Sequence, residues 1–198
     1  MTVRVFVPAD SSALAVGAGE VALAIAAQAA ARGSAIELVR NGSRGLSWLE
    51  PLVEVATPAG RVAYGPVTVA DVPGLLDAGF LAGADHPLAL GLTDEIPYLK
   101  KQERLTFARV GITDPLSLAD YTAHGGFAGL RAALSLTPGE IVAAVTESGL
   151  RGRGGAAFPA GIKWQTVLAA AGDEKYVVCN ADEGDSGTFS DRLLLEGD

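Results

Sequence analysis

The stretch LVEVATPAGRVAYGPV, Leu52–Val67, decides how the first half of this sequence folds. Two runs rich in valine flank Pro58-Ala59-Gly60, and a short glycine-containing loop between such runs reads as a hairpin. Upstream, VRVFVP (Val3–Pro8) reads as a strand and Ala13–Arg32 as a single helix stopped by Gly33. AIELVR (Ala35–Arg40) is a second strand, ended by the turn pair Asn41-Gly42. Downstream, VADVPGLLDAGFL (Val69–Leu81) reads as a short helix.

The resulting order, β-α-β-β-β-α, predicts a thioredoxin-like α/β unit over residues 1–82. No thioredoxin redox chemistry is expected from it, because that chemistry needs Cys-x-x-Cys and the only cysteine is Cys179. One thiol can neither close an internal disulfide nor hold an iron–sulfur cluster, which takes about four thiolates. The chain has 198 residues, 49% of them hydrophobic and 19% charged, enough for a buried core. Its net charge of −8 disfavours nonspecific binding to nucleic acid or to an anionic membrane. The N-terminus alternates like a strand and does not read as a signal peptide. The most apolar window, Ala13–Ala31, is mostly alanine interrupted by Glu20 and Gln28, a good helix but a poor membrane span. A cytoplasmic protein is the expectation.

Residues 83–125 are less periodic and read as a connector, with a short strand near Leu105–Val110. Its basic cluster, Lys100, Lys101, Arg104 and Arg109, reads as a solvated face. His86 and His124 stand far apart in sequence with no cysteine near them, so neither a zinc site nor a Ser-His-Asp triad is expected.

Residues 126–198 open with Thr137-Pro-Gly-Glu140, a capping box with proline at the first helical position. That helix should stop at Gly149. SGLRGRGGAAFPAGIKW (Ser148–Trp164) follows, with five glycines and three positive charges in seventeen residues. Gly152-x-Gly154-x-x-Ala157 fits the dinucleotide fingerprint, but a helix rather than a strand precedes it, so a Rossmann site is not expected. A Walker A loop is excluded, since Gly-Lys-[Ser/Thr] is absent. Gly152, Gly154 and Gly155 still allow a flat or phosphorylated ligand to press against main chain. Arg151, Arg153 and Lys163 add positive charge, Phe158 a ring face, and the helix from about Pro159 free N–H groups.

KYVVCNA (Lys175–Ala181) reads as a buried strand carrying Cys179 as an inert core residue. Asn180, Asp182, Glu183 and Asp185 then lie past the strand's C-terminal end, where α/β sheets bind ligands. Carboxylates repel phosphate but accept hydrogen bonds from hydroxyls and ring N–H groups. A flavin nucleotide, with a planar ring, a polyhydroxyl chain and a phosphate, would use both the glycine loop and these acceptors. TFSDRLLLEGD opens a last capped helix.

SGLRGRGGAAFPAGIKW and KYVVCNADEGDSGTFSDR together resemble the FMN- and NADH-binding flavoprotein subunits of respiratory complex I, NAD-reducing hydrogenases and NAD-dependent formate dehydrogenases. The resemblance runs from about Tyr98 to the last residue and includes DPLSLADYTAHGGFAGL. It implies the start of an α/β FMN-binding domain, with FMN lined by Gly152, Gly154, Gly155, Lys163, Asn180, Asp182 and Glu183. Phe158 and Asp185 would lie on the nicotinamide side, and Arg153 joins the cofactor-binding set through its charge. Ala157 and Ala160 stand where glycine and threonine are usual, and Asp185-Ser186 where Glu-Pro is common. No residue is expected to be catalytic in its own right or to bind metal.

NGSRGLSWLEPLVEVATPAGRVAYGPVTVADVP in turn resembles the thioredoxin-like ferredoxin domain of NADH-oxidising complexes, with Ser43 and Ser47 where that family has cluster cysteines. A cluster-less domain fused before an FMN domain most resembles the beta subunit of molybdenum-dependent, NAD-linked formate dehydrogenase. This implies hydride exchange between NAD(H) and FMN and electron exchange with iron–sulfur clusters. It also implies two partners, an iron–sulfur small subunit and a molybdenum catalytic subunit. A [4Fe–4S] cluster would belong to the family's C-terminal part, so the chain reads as the N-terminal portion of such a subunit. The alternatives are a hydrogenase or complex I diaphorase, and a non-enzymatic assembly module.

Overall fold

A computed structural model describes residues 2–198. The chain divides into two compact units, one of residues 1–124 with 183–198 and one of residues 125–182.

The first unit is built on a five-stranded sheet. Its elements are β1 (Val3–Phe6), α1 (Ser11–Ala15), α2 (Ala18–Ala31), β2 (Ile36–Val39), β3 (Val53–Thr57) and β4 (Gly60–Tyr64). They continue with α3 (Val72–Asp77), β5 (Ala89–Leu92), α4 (Pro97–Lys100) and α5 (Leu118–Ala123). The sheet order is β2-β1-β3-β4-β5. β1 and β2 are parallel, Val5 opposite Leu38, as a β-α-β crossover requires. β3 runs antiparallel to β1 and pairs β4 in a tight hairpin, Val55 opposite Val62 and Thr57 opposite Gly60. This is the thioredoxin-like topology that the element order predicts, with β5 added antiparallel at the β4 edge.

The central strands are covered on both faces. On one, Val5, Val7, Val53, Val55 and Tyr64 meet Val21 and Ile25 of α2, Val72 and Leu75 of α3, and Phe80. On the other, Leu46, Leu52 and Ala63 meet Ile96 and Leu99. That second face also holds buried charge. Both oxygens of Glu54 accept from Arg44, each at 2.8 Å, with Glu54 1% and Arg44 5% exposed. Arg61 lies 3.5 Å from the same carboxylate, with its guanidinium carbon 3.4 Å from the Phe6 ring centroid.

Several expectations need correction. The single helix over 13–32 is two, because Asp10 caps α1 through the N–H groups of Ser12 and Ala13 and Gly17 at φ +97° breaks the run before α2. The helix over 69–81 shrinks to α3 between two 3₁₀ turns. No strand forms at Leu105–Val110. The edge of β4 is occupied by β5, and side chains pin the residues immediately after the segment. Arg61 donates to the carbonyls of Gly111 and Ile112 at 2.8 and 2.7 Å, and Asn41 donates to Gly111 at 2.8 Å. The basic cluster is largely partnered: Lys100 with Glu95, Arg104 with the Arg44 carbonyl, Arg109 with Asp198.

The second unit consists of α6 (Ala128–Ala133), α7 (Pro138–Glu147), α8 (Ala160–Ala169) and the segment after them. The chain then returns to the first unit through α9 (Ser190–Gly197). Among the described residues no helix is long and apolar enough to cross a membrane.

Candidate functional site

The glycine loop is fixed at both ends by ordinary helix chemistry. At the start of α7, Glu140 N–H donates to Thr137 Oγ1 at 3.3 Å while Thr137 N–H donates to Glu140 Oε2 at 2.8 Å. These bonds hold the Glu140 carboxyl below the usual range, the backbone bond from Thr137 first. Gly149, at φ +67°, turns the chain out of the helix, as the sequence predicts. The loop then closes on itself like a small hairpin. Gly152 N–H donates to Phe158 O at 2.8 Å, Ala160 N–H to Leu150 O at 2.9 Å, and Arg151 pairs across with Pro159. Arg151 Nε donates within the loop to Ala157 O at 2.7 Å.

The rest of the loop is open. A Cβ built on Gly154 or Gly155 would meet nothing, so those two residues present bare backbone to solvent. Ala157 sits at φ +45°, a left-handed conformation costing an L-residue roughly 1–2 kcal/mol. α8 then packs on α7 through Gly161, where any side chain would collide with Thr146. This helix contact was not read from the sequence; its only signal is a glycine in a first helical turn.

No side chain caps α8, leaving N–H groups of its first turn free for an anion. Lys163, one turn in, places Nζ 5.8 Å from the Phe158 ring centroid and makes no ion pair among the described residues. It also borders an open apolar cleft of about 530 Å³, walled by Val142, Trp164, Val167, Tyr176 and Val178. Within the second unit the structure therefore groups Gly152, Arg153, Gly154, Gly155, Phe158 and Lys163 on one loop-and-helix corner.

The acidic half of the site differs from expectation. Lys175–Ala181 is not a strand, and Tyr176, Val177 and Val178 are 80, 100 and 84% exposed. A strand needs a neighbour to take its N–H and C=O groups, and all five strands among the described residues belong to the first unit. Cys179 is accordingly exposed, not a core residue. Asn180 Oδ1 accepts from Asp182 N–H at 3.2 Å, a local turn on an exposed segment. Glu183 and Asp185 fall in the first unit. Asp185 uses its carbonyl to accept from Thr188 N–H at 3.1 Å and leaves its carboxylate exposed. Glu183 is committed to α9: Oε1 accepts from Asp191 N–H at 2.7 Å and Ser190 Oγ at 3.1 Å, and Oε2 from Arg192 N–H at 3.1 Å. The last helix is thus capped by Glu183, not by a residue at its own start, where Phe189 stands.

Residues 145–198 match the sequence model of the Nuo51 FMN-binding domain. The match is confined to that segment, 54 of the 198 residues. Among curated proteins the chain is 54% identical over 99 residues to the NADP-reducing hydrogenase subunit HndC of Solidesulfovibrio fructosivorans, covering 50% of this chain and 20% of that one. It is 53% identical over 97 residues to a NADH-quinone oxidoreductase subunit of Rhizobium meliloti, covering 48% and 23%. The chain thus spans about a fifth of the length of these relatives. A solved thioredoxin-like [2Fe-2S] ferredoxin from Aquifex aeolicus aligns with TM-score 0.39 at 20% identity, covering 46% of this chain and 97% of that one. The fold assignment rests on the sheet order.

The Nuo51-type segment carries the whole glycine loop, and its chemistry fits the group that names the family. Bare backbone at Gly154 and Gly155, the uncapped start of α8 and the unpaired Lys163 ammonium suit a planar, anionic ligand. Among the described residues no group of three or more His, Cys, Asp or Glu could hold a metal ion.

Proposed function

We propose that this chain contributes the FMN- and NAD(H)-handling part of a multi-subunit oxidoreductase, a diaphorase component. The observation that carries the reading is the Nuo51-type segment together with its open glycine loop beside an unpaired Lys163. Gly152, Gly154 and Gly155 would lie against the flavin nucleotide, and the α8 N–H groups and Lys163 would face its negative charge. Phe158 offers a ring face to nicotinamide, Asp185 an acceptor for its amide, and Asn180 and Asp182 acceptors for ribityl hydroxyls. Arg153 adds a positive charge at the loop's tip. When bound, FMN would supply hydride exchange with nicotinamide and one-electron exchange with iron–sulfur centres.

The relatives named above belong to a hydrogenase and to a quinone oxidoreductase. We place this chain instead in a cytoplasmic formate dehydrogenase, with an iron–sulfur small subunit and a molybdenum catalytic subunit as partners. Ser43 and Ser47, standing where cluster cysteines would, favour that choice. Anaerobic titration of the natively purified, full-length assembly with NADH tests the flavin reading. Bleaching of the flavin band by stoichiometric NADH is expected; an unchanged spectrum or no extractable FMN refutes it. NAD reduction driven by formate and not by hydrogen is expected next, and the reverse would return the chain to the hydrogenases.

A further inference from the structure

The first unit holds a cavity with no part in the flavin reading. It is open, measures about 680 Å³, and every residue lining it belongs to that unit. α4, the segment after it and the turn before α9 supply most of its wall. Three lining side chains are aromatic: Tyr98, Phe107 and Phe189. Tyr98 and Phe189 are about half exposed, so their rings are not committed to the core. Trp48 meets Tyr98 edge-on, with centroids 5.1 Å apart and planes at 87°, which holds that ring in place.

Arg104 lines the same cavity, and no carboxylate among the described residues lies within ion-pair distance of it. Its Nη2 donates to the Arg44 carbonyl at 2.6 Å and its Nε to Gln102 Oε1 at 2.9 Å, both neutral acceptors. Those bonds fix the guanidinium plane and leave Nη1 without a partner among the described residues. The neighbouring Arg44 is matched by Glu54, a carboxylate it shares with Arg61, and by the exposed Asp94 at 3.8 Å. Burial first, and then the Arg44 charge, hold the Arg104 pKa below its usual value. A guanidinium keeps its proton regardless, so the cavity presents a fixed positive charge in a chain of net charge −8. Thr106 and Thr188 add hydroxyls to the wall, and its one carboxylate, Glu103, is exposed to solvent.

We propose that this cavity binds a nucleoside monophosphate, its phosphate met by Arg104 and its base by the rings of Tyr98 and Phe189. A guanidinium held by two neutral acceptors suits a phosphate, and half-exposed rings suit a flat base. Glu103 then accepts from the ribose hydroxyls. The volume falls within the range of small-ligand sites, about 300–1,000 Å³. The proposal rests on the first unit alone and is independent of the flavin reading.

The test is calorimetric titration of the full 198-residue chain with AMP, ribose 5-phosphate and adenosine. AMP should bind with a Kd of about 0.1 mM, and each half-ligand about ten-fold more weakly. Arg104→Gln should weaken AMP about ten-fold and Tyr98→Leu about five-fold. No saturable binding of AMP below about 5 mM overturns the proposal. Ribose 5-phosphate binding as tightly as AMP also overturns it, since the rings then contribute nothing. AMP binding that changes less than about twofold in both variants places the nucleotide elsewhere and overturns it as well. Should Arg104→Gln fail to fold, Tyr98→Leu decides alone, because that ring is half exposed and its loss leaves the core intact.

Discussion

Replacing Glu50 by glutamine should stabilise the protein at alkaline pH and leave it nearly unchanged at pH 5. Glu50 is buried in the loop before β3, where Oε1 accepts from Ser43 Oγ at 2.6 Å and Oε2 from Leu52 N–H at 2.8 Å. Burial raises its pKa from the ordinary 4.5 to about 7; the two hydrogen bonds oppose this, and the nearby carboxylates of Asp10 and Glu54 add to it. A folded-state value above the unfolded one means the folded chain binds the extra proton between those pH values. Stability is therefore greatest below about pH 4.5 as far as this group is concerned, and falls as pH rises to about 7. A displacement of that size corresponds to about 3 kcal/mol. Glutamine keeps the network, since its oxygen can accept from Leu52 while its amide donates to the Ser43 hydroxyl. Urea unfolding of wild type and Glu50→Gln at pH 5 and pH 8 measures the difference. A gain of about 3 kcal/mol at pH 8 that vanishes toward pH 5 is expected. A pH-independent difference, or destabilisation at pH 8, would show that the carboxyl is solvated and refute the reasoning.

Three further outcomes can be stated. Glu54→Gln should destabilise the first unit by about 3–5 kcal/mol in urea unfolding, because it strands the buried Arg44 guanidinium; a loss below about 1 kcal/mol would mean that water reaches the pair. Thr137→Ala removes the reciprocal cap of α7 and should cost about 1 kcal/mol by the same assay, with the far-ultraviolet dichroism of the folded state retained. Lys163→Ala should weaken FMN binding by the full-length assembly roughly ten-fold or more, the loss of one charge-assisted contact, with wild-type thermal stability.

What was legible in the sequence is what hydrogen-bonds locally. The hairpin of β3 and β4 announces itself by two valine-rich runs on either side of Pro58-Ala59-Gly60, and the structure pairs them in that register. Thr137, Pro138 and Glu140 specify the start of α7 within one turn, and Gly149 its end. Gly17 was equally visible, but a glycine in an alanine-rich run is compatible with helix, and only its φ of +97° makes it a break. The failures involve distant partners. Ala89–Leu92 carries little strand signal and becomes β5 because the edge of β4 lies open beside it. Lys175–Ala181 carries a strong strand signal and forms none, because no strand of its own unit stands beside it. Of the site, the glycine loop was legible, being local. The engagement of Glu183 with α9 was not, because nothing in the DEGDSG motif says which of its carboxylates turns toward the chain.

The loop of residues 41–47 shows how a polar segment can be held against the sheet of the first unit. Residues 41–44 each make a separate contact. Asn41 holds the Gly111 carbonyl, and Gly42 seats α9. Ser43 gives its N–H to Asp10 at 2.8 Å and its hydroxyl to Glu50. Arg44 fills the space over the sheet with a buried pair to Glu54 and passes its carbonyl to Arg104. Polar groups at this depth are costly unless partnered, and an incomplete network would be worse than an apolar filling. Among the described residues of this loop only Asn41 Oδ1 is buried without a partner, and that near-complete pairing is what lets so polar a loop lie buried against the sheet.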